Sequence, residues 1–196
     1  MVRSMKKQFL FRCLPLLLLA ALFLCACSGK SNGDASENGG VPDGSVRFEN
    51  EALNYTFCYA ENWEVDRSDG MAGIKCNVAG ATSEAYASIS VMSFTLGSEQ
   101  KDWGANNYWD DYRTKLEDLY GEHISFESQK EECKLGGVIA NRNRYTLQLS
   151  DVSYTYEQVI CVRSREVHLV TLTAPEGSYD KVIGCFQTVI DTFSFK

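Results

Sequence analysis

Histidine is scarce in this chain of 196 residues: His123 and His168 are the two present, against eight cysteines. With so little imidazole and no Cys-x-x-Cys, no Cys/His cluster of zinc spacing can be read from the sequence. No metal or cofactor is expected. Within residues 45–196 there is no Gly-x-Ser-x-Gly elbow to single out a serine nucleophile. Long apolar runs are missing too. The longest, residues 14–24, is interrupted by Pro15 and ends before Ser28-Gly29-Lys30, short of the roughly 20 residues a spanning helix needs.

What the N-terminus does have is a layout. Arg3, Lys6, Lys7 and Arg12 precede the apolar run with no acidic residue among them, the charged-then-apolar order of a secretory signal. Leu24-Cys25-Ala26-Cys27 follows and resembles the bacterial lipobox, in which an aliphatic residue and two small ones precede a cysteine. The resemblance implies that residues 1–26 are a cleaved signal peptide and that the Cys27 sulfur, as thiolate, takes up diacylglycerol before cleavage. Cys25 is the weaker acceptor, because Leu24 is too bulky for the position before the cut. Acyl chains of the palmitate type on Cys27 satisfy the two-signal condition for stable anchoring. The mature chain is therefore expected on the extracytoplasmic face of a cell membrane, held by lipid without spanning it.

Removing residues 1–26 takes four of the 19 Lys and Arg and none of the 26 Asp and Glu, leaving a formal charge of about −11. Nucleic-acid binding depends on clustered cations that neutralise phosphates, and no such cluster remains. The same charge disfavours close docking to an anionic bilayer. Residues 28–44 read SGKSNGDASENGGVPDG, without an aromatic. Such a stretch cannot bury enough apolar surface to order itself. With Cys27 it is expected to be a flexible tether over residues 27–44, with a reach of roughly 20 Å. Residues 45–196 carry aromatics throughout and have the size of a single domain.

Inside that domain, residues 55–59, 74–78 and 87–96 alternate or concentrate β-formers and predict three strands. Over residues 106–120, Trp109, Tyr112, Leu116, Leu119 and Tyr120 fall three and four apart, the stripe of an amphipathic helix, and Gly121 follows where a helix would stop. Residues 124–134, 138–149, 153–163 and 167–173 then read as strands joined by short turns at Gly136-Gly137, Ser150-Asp151 and Ser164-Arg165-Glu166. A second helical stripe occupies residues 178–192. This order, with hairpins and no βαβ crossover, predicts an α+β fold in which an antiparallel sheet of six to seven strands is packed by two helices.

Two segments resemble a known family. Residues 57–65, FCYAENWEV, are similar to the strand–turn–tryptophan opening of domains like the photosystem II protein PsbP and the bacterial lipoproteins LpqN and DcrB. Residues 179–195, a helix leading into Ile190-Asp191-Thr192-Phe193-Ser194-Phe195, resemble the family's close. Ala60 stands where the family often has proline. The resemblance implies a PsbP-like α/β sandwich and, because its members share a shape and not a chemistry, a docking or scaffold domain.

Once Cys13 and Cys25 are removed and Cys27 is acylated, five thiols remain: Cys58, Cys76, Cys133, Cys161 and Cys185. Five cannot all pair. Cys58 with Cys76 is the expected disulfide if one forms, since adjacent antiparallel strands bring cysteines within reach. The alternative is that all five are small buried apolar residues.

His123 suits a helix C-terminus, and His168 sits mid-strand. Asp110-Asp111 and Glu131-Glu132 are neighbours whose side chains diverge, which fits solvated faces better than an acid–base pair. Tyr154 and Tyr156 share one strand face and, with Trp63, form a candidate partner patch if exposed. Core packing is the competing reading. The expectation is thus a non-enzymatic domain for a protein or envelope partner. A small-ligand receptor serving a transporter is the alternative, although such receptors usually have two lobes. A hydrolase would need a polar pocket collecting one of the histidines.

Overall fold

The computed structural model describes residues 40–49, 53–66, 72–77 and 86–196. The segment read as a signal peptide, Cys27 and the part of the expected tether up to residue 39 lie outside the described residues. The strands are β1 Ser45–Phe48, β2 Tyr55–Ala60, β3 Glu64–Asp66, β4 Ala72–Asn77 and β5 Tyr86–Thr95, followed by helix α1 Ala105–Tyr120. Then come β6 Ile124–Leu135, β7 Val138–Leu149, β8 Val152–Arg163, β9 Glu166–Pro175, helix α2 Tyr179–Thr192 and the short β10 Ser194–Phe195. The fold is α+β, with two helices packed on an antiparallel sheet.

The large sheet has the order β3-β4-β5-β9-β8-β7-β6, and a small sheet has the order β1-β2-β10. Every neighbouring pair is antiparallel. The large sheet is two meanders, β3-β4-β5 and β6-β7-β8-β9, joined where β5 pairs with β9. Alternating directions along this order make β5 and β6 parallel, so β5-α1-β6 is a crossover, which the sequence reading did not anticipate. Hairpin spacing is visible locally, but the partner of β5 is a strand some eighty residues away (Val91 faces Val170). At roughly 24 Å long, by the helical rise, α1 has the reach to cross the intervening strands.

The turns explain the tight meander. Gly136 and Gly137 both have positive φ, 56° and 82°, as a two-residue type I′ hairpin requires. Gly136 has a second reason to lack a side chain: a Cβ there would lie 2.7 Å from the Phe195 ring. Ser164 and Arg165 adopt the same left-handed pattern, φ 51° and 67°. Arg165 is pinned in place, its carbonyl accepting from Leu96 N–H at 2.8 Å and its guanidinium donating back to the Leu96 carbonyl at 3.1 Å.

Strand alternation divides the molecule into two cores. On one face of the large sheet, Ile74, Ile89, Val91, Val159, Val170 and Leu172 pack against α2 and the small sheet, with Val182, Phe186 and Val189 of the helix buried. Phe48, Tyr55, Phe57 and Phe193 stack within this layer; Phe48 and Phe57 rings are 4.8 Å apart. On the other face, α1 buries Trp109 and Leu116 against Tyr145, Ile160, Val167 and Leu169. Trp109 meets Tyr112, Phe126 and Tyr145 at ring distances of 5.9–6.2 Å. Each fully buried apolar side chain of this kind contributes roughly 1.5–3 kcal/mol. Leu119, placed on the α1 stripe by spacing, is 48% exposed; the buried line runs through Trp109, Tyr112 and Leu116, with Tyr120 at its edge.

A polar ladder fixes α1 at its N-terminal end. Asn141 Nδ2 donates to Asn106 Oδ1 at 2.9 Å, Asn143 Nδ2 to Asn141 Oδ1 at 2.7 Å, and the backbone N–H of Lys130 to Asn143 Oδ1 at 2.8 Å. Lys130 has φ 56° and lies in an irregularity of β6 between Ser128 and Glu131. The bulge turns its backbone N–H inward, and its ammonium pairs with Asp110 of α1 at 2.6 Å.

Candidate functional site

Three polar arrangements on this scaffold bring reactive residue types together. The first is centred on His168. Its cross-strand partner on β5 is Ser93, whose Oγ lies 2.8 Å from His168 Nδ1, while Glu166 Oε2 lies 3.5 Å from Nε2. Serine, histidine and carboxylate are the residue types of a hydrolytic triad. Here, however, the ring is 2% exposed and the Phe195 ring sits edge-on against it at 4.7 Å. Phe195 is itself held between Phe193 and the Arg163 guanidinium, at 5.1 and 4.8 Å. Burial lowers the His168 pKa; Glu166 opposes and Arg163 assists that shift. The neutral imidazole is hydrogen-bonded at one nitrogen to a hydroxyl and buried beneath the C-terminal strand.

The second is centred on Glu157, 1% exposed on β8. It accepts from Arg142 Nε, from Arg144 Nε at 3.0 Å and from the Tyr179 hydroxyl. Arg142 reaches on to Gln187 Oε1 at 2.9 Å, and the Arg144 guanidinium stacks over the Tyr179 ring at 4.6 Å. The buried carboxylate therefore ties β7 and β8 to α2. Burial leads the rise in Tyr179 pKa and Glu157 adds to it, so the phenol stays protonated and donates. Every oxygen lone pair direction used here faces a protein donor, which makes the group a structural junction.

The third is the part of the large sheet beside α1. The helix lies chiefly over β6, β7 and β8, and it reaches β5 near the end of that strand, where Tyr108 packs on Phe94 at 5.7 Å. The register sets out two rows of polar side chains across the strands. One runs Ser90, Thr171, Gln158, and the other Glu64, Lys75, Ser88, Thr173, Tyr156. Gln158 Nε2 donates to Thr171 Oγ1 at 3.3 Å. Lys75 lies 5.8 Å from the ring centre of Tyr86 at the outer edge. Toward α1 the face ends in tyrosines: Tyr156 stacks on Tyr145 at 5.0 Å, and the Tyr112 hydroxyl meets Tyr145 and Gln158. Ser88, Ser90, Thr171, Thr173, Tyr154 and Tyr156 are all half-buried. The surface is hydroxyl-rich over β5 and β9, carries charges at its β3–β4 edge in Glu64 and Lys75, and is rimmed by aromatic rings.

Cys27 lies outside the described residues. Trp63 is 7% exposed in the core under α2, whereas Tyr156 packs on the α1 side of the sheet, so Trp63, Tyr154 and Tyr156 do not form one patch. Residue spacing cannot tell a strand-end tryptophan that turns inward from one that turns out. Cys58 and Cys76 occur in different sheets, and both are free thiols. The adjacency expected for them assumed that β2 and β4 share a sheet. Asp110 pairs with Lys130 and Asp111 with Lys115, Glu131 and Glu132 are exposed, and His123 is exposed after α1. The serines and threonines of the open face were not singled out from sequence. Their signal was present: hydroxyls stand two apart at Ser88 and Ser90 of β5 and again at Thr171 and Thr173.

Neither a family model nor a curated protein matches the sequence. Among solved structures, the chain is similar to cyanobacterial PsbP (CyanoP) from Synechocystis sp. PCC 6803, with 16% identity, a TM-score of 0.55 and coverage of 84% of this chain and 100% of that one. It is also similar to LpqN of Mycobacterium tuberculosis, a protein involved in cell envelope biogenesis, with 12% identity, a TM-score of 0.59 and coverage of 79% and 86%. At such identities the likeness is one of fold, and the fold is PsbP-like.

Proposed function

We propose that this chain is a lipid-anchored, extracytoplasmic binding domain that docks a protein partner of the cell envelope and performs no catalysis. The observation that carries this reading is the half-open face of Ser88, Ser90, Thr171 and Thr173, rimmed by Tyr154 and Tyr156. Aromatic rings beside adaptable hydroxyls are the composition of protein-binding surfaces, in which charged residues are depleted at the centre. The rest of the mature chain is strongly acidic, so the uncharged hydroxyl rows of β5 and β9 stand out as the place where contact costs least desolvation. The lipobox-like Leu24-Cys25-Ala26-Cys27 and the tether after it supply the anchor and the reach. A PsbP-like fold is compatible with an envelope-associated scaffold role, as is the envelope-biogenesis role stated for LpqN.

The test is a photo-crosslinking residue placed singly at Ser90, Thr171 or, as a control behind the sheet, Asp180, in cells carrying the full chain. The expected result is one and the same envelope protein crosslinked from Ser90 and Thr171 and not from Asp180, with the crosslink lost when Thr173→Arg is added. Crosslinks to glycan or lipid alone, or an identical pattern from Asp180, would overturn the protein-docking reading.

A further inference from the structure

Phe195 closes a cluster that the large sheet and the short β10 build together. His168 stands in one cross-strand row with Ser93 of β5 and Cys161 of β8, and its ring is 2% exposed. Ser93 Oγ lies 2.8 Å from Nδ1, and Glu166 Oε2 lies 3.5 Å from Nε2. The Phe195 ring meets the imidazole edge-on with centroids 4.7 Å apart, and the Arg163 guanidinium lies over the same phenyl ring at 4.8 Å. A Cβ on Gly136 would come within 2.7 Å of that ring, so Phe195 has little room to shift toward the β6–β7 turn. To uncover the imidazole, it has to lift away.

The two sides of this contact are held very differently. β9 is a central strand, paired along its length with β5 and β8. β10 has two residues and forms an edge of the small sheet, Ser194 opposite Thr56 and Phe195 opposite Tyr55. Lys196 N–H adds a bond to the Asn54 carbonyl at 2.9 Å. Segments with so few pairings open at least cost. The surroundings disfavour a proton on the imidazole while it is covered. Burial is the largest cause; Arg163 of β8 repels the proton and Glu166 attracts it, but the Glu166 side chain is 40% exposed and solvent screens it. Cys161 of β8 and Tyr55 of β2 stay protonated because burial raises both. β5 presents the Ser93 hydroxyl, and the exposed Lys196 beside Phe195 adds a further cation on the β10 side.

We propose that β10 is an acid-opened latch: a proton on His168 lifts Phe195 off the imidazole and frees the edge of β2 at Asn54–Thr56. An imidazolium needs water or a full set of partners. Lifting a two-residue edge strand reaches water at less cost than parting β9 from β5 or β8. With β10 lifted, the ring titrates near 6.5; with β10 closed, its pKa lies lower. The closed form is therefore held fully above about pH 6.5, and it loosens as pH falls from there toward the closed-state pKa, by at most about tenfold per pH unit for one proton. The opening is confined to the small-sheet edge and the seat of Phe195, and both layers of the domain keep their strand pairing.

The experiment follows amide exchange and the His168 side chain by NMR in the full chain, between about pH 7.5 and 5.5 and with low, non-denaturing urea, after correction for the intrinsic pH dependence of exchange. The expected result is that protection of the Lys196 amide falls roughly three- to tenfold over this range, at a level insensitive to urea, whereas exchange in the β5–β9 ladder speeds up as urea is added. In His168→Gln the fall at Lys196 should vanish. In Phe195→Ala the His168 pKa should rise toward about 6.5, a readout that stays decisive if the histidine variant does not fold. Protection of Lys196 that is flat with pH, or that falls equally in His168→Gln, would overturn the latch. So would a Lys196 amide that follows urea as the β5–β9 ladder does, since that is global unfolding, or a His168 pKa unmoved by Phe195→Ala.

Discussion

At the scale of single residues, a neutral histidine under a phenylalanine makes stability depend on pH. His168 is 2% exposed, and burial lowers its pKa against the opposing Glu166. The unfolded chain, whose histidine titrates near 6.5, binds a proton that the native chain resists. The stability held by the neutral ring is therefore complete above about pH 6.5 and is lost as pH falls through that value toward the lower native pKa, with a limiting slope of about 1.4 kcal/mol per pH unit. Urea unfolding midpoints between pH 7.5 and 5.5 should decline, and more steeply for the parent than for His168→Gln. Equal slopes in both would mean that His168 is not the group responsible. Sequence alone left this residue undecided between packed and solvent-facing, because a strand pattern does not reveal which face a second layer covers; Phe195, which covers it, is 27 positions further on.

At the scale of elements, α1 and α2 were legible because a helix with one buried side must repeat apolar residues every three to four positions. The stripe alone does not say how wide the contact is. Leu116 is 1% exposed, whereas Leu119, on the same stripe by spacing, is 48% exposed. Leu116→Ala should cost about 2–5 kcal/mol, the range for a leucine removed from a packed core, while Leu119→Ala should stay within about 0.5 kcal/mol of the parent. Denaturant unfolding of the two variants checks this directly, and equal losses would mean α1 is rotated from the position described. The short strands β1, β3 and β10, with four, three and two residues, escaped sequence reading because alternation needs more positions than they have. Their partners, β2 and β4, make them strands.

At the scale of the whole molecule, the organisation expected from the N-terminus separates location from folding. If Cys27 carries the lipid and residues 28–44 act as a spacer, Cys27→Ser should move the chain from the membrane to the soluble fraction. The urea midpoint of the folded part should not change if residues 28–44 act only as a spacer. Fractionation followed by unfolding of the released chain tests both halves. A midpoint shifted by the substitution would tie the anchor to the fold. The net charge of about −11 that cleavage after residue 26 would leave would work in the same direction, keeping the domain off an anionic surface by repulsion.

Sequence by itself determined what depends on near neighbours: the charged and apolar order of the first 26 residues, the helical stripes, the hairpin turns at Gly136-Gly137 and Ser164-Arg165, and from these the α+β class. Tertiary structure decided what depends on residues far apart in the chain. The pairing of β5 with β9 made β5-α1-β6 a crossover. Two layers on opposite faces sent Trp63 inward and left the hydroxyl rows of β5 and β9 half-open. The physical reason is the same in each case: local backbone and side-chain preferences act over a few residues, whereas which strands share a sheet and which face is covered is set by burying apolar area across the whole chain.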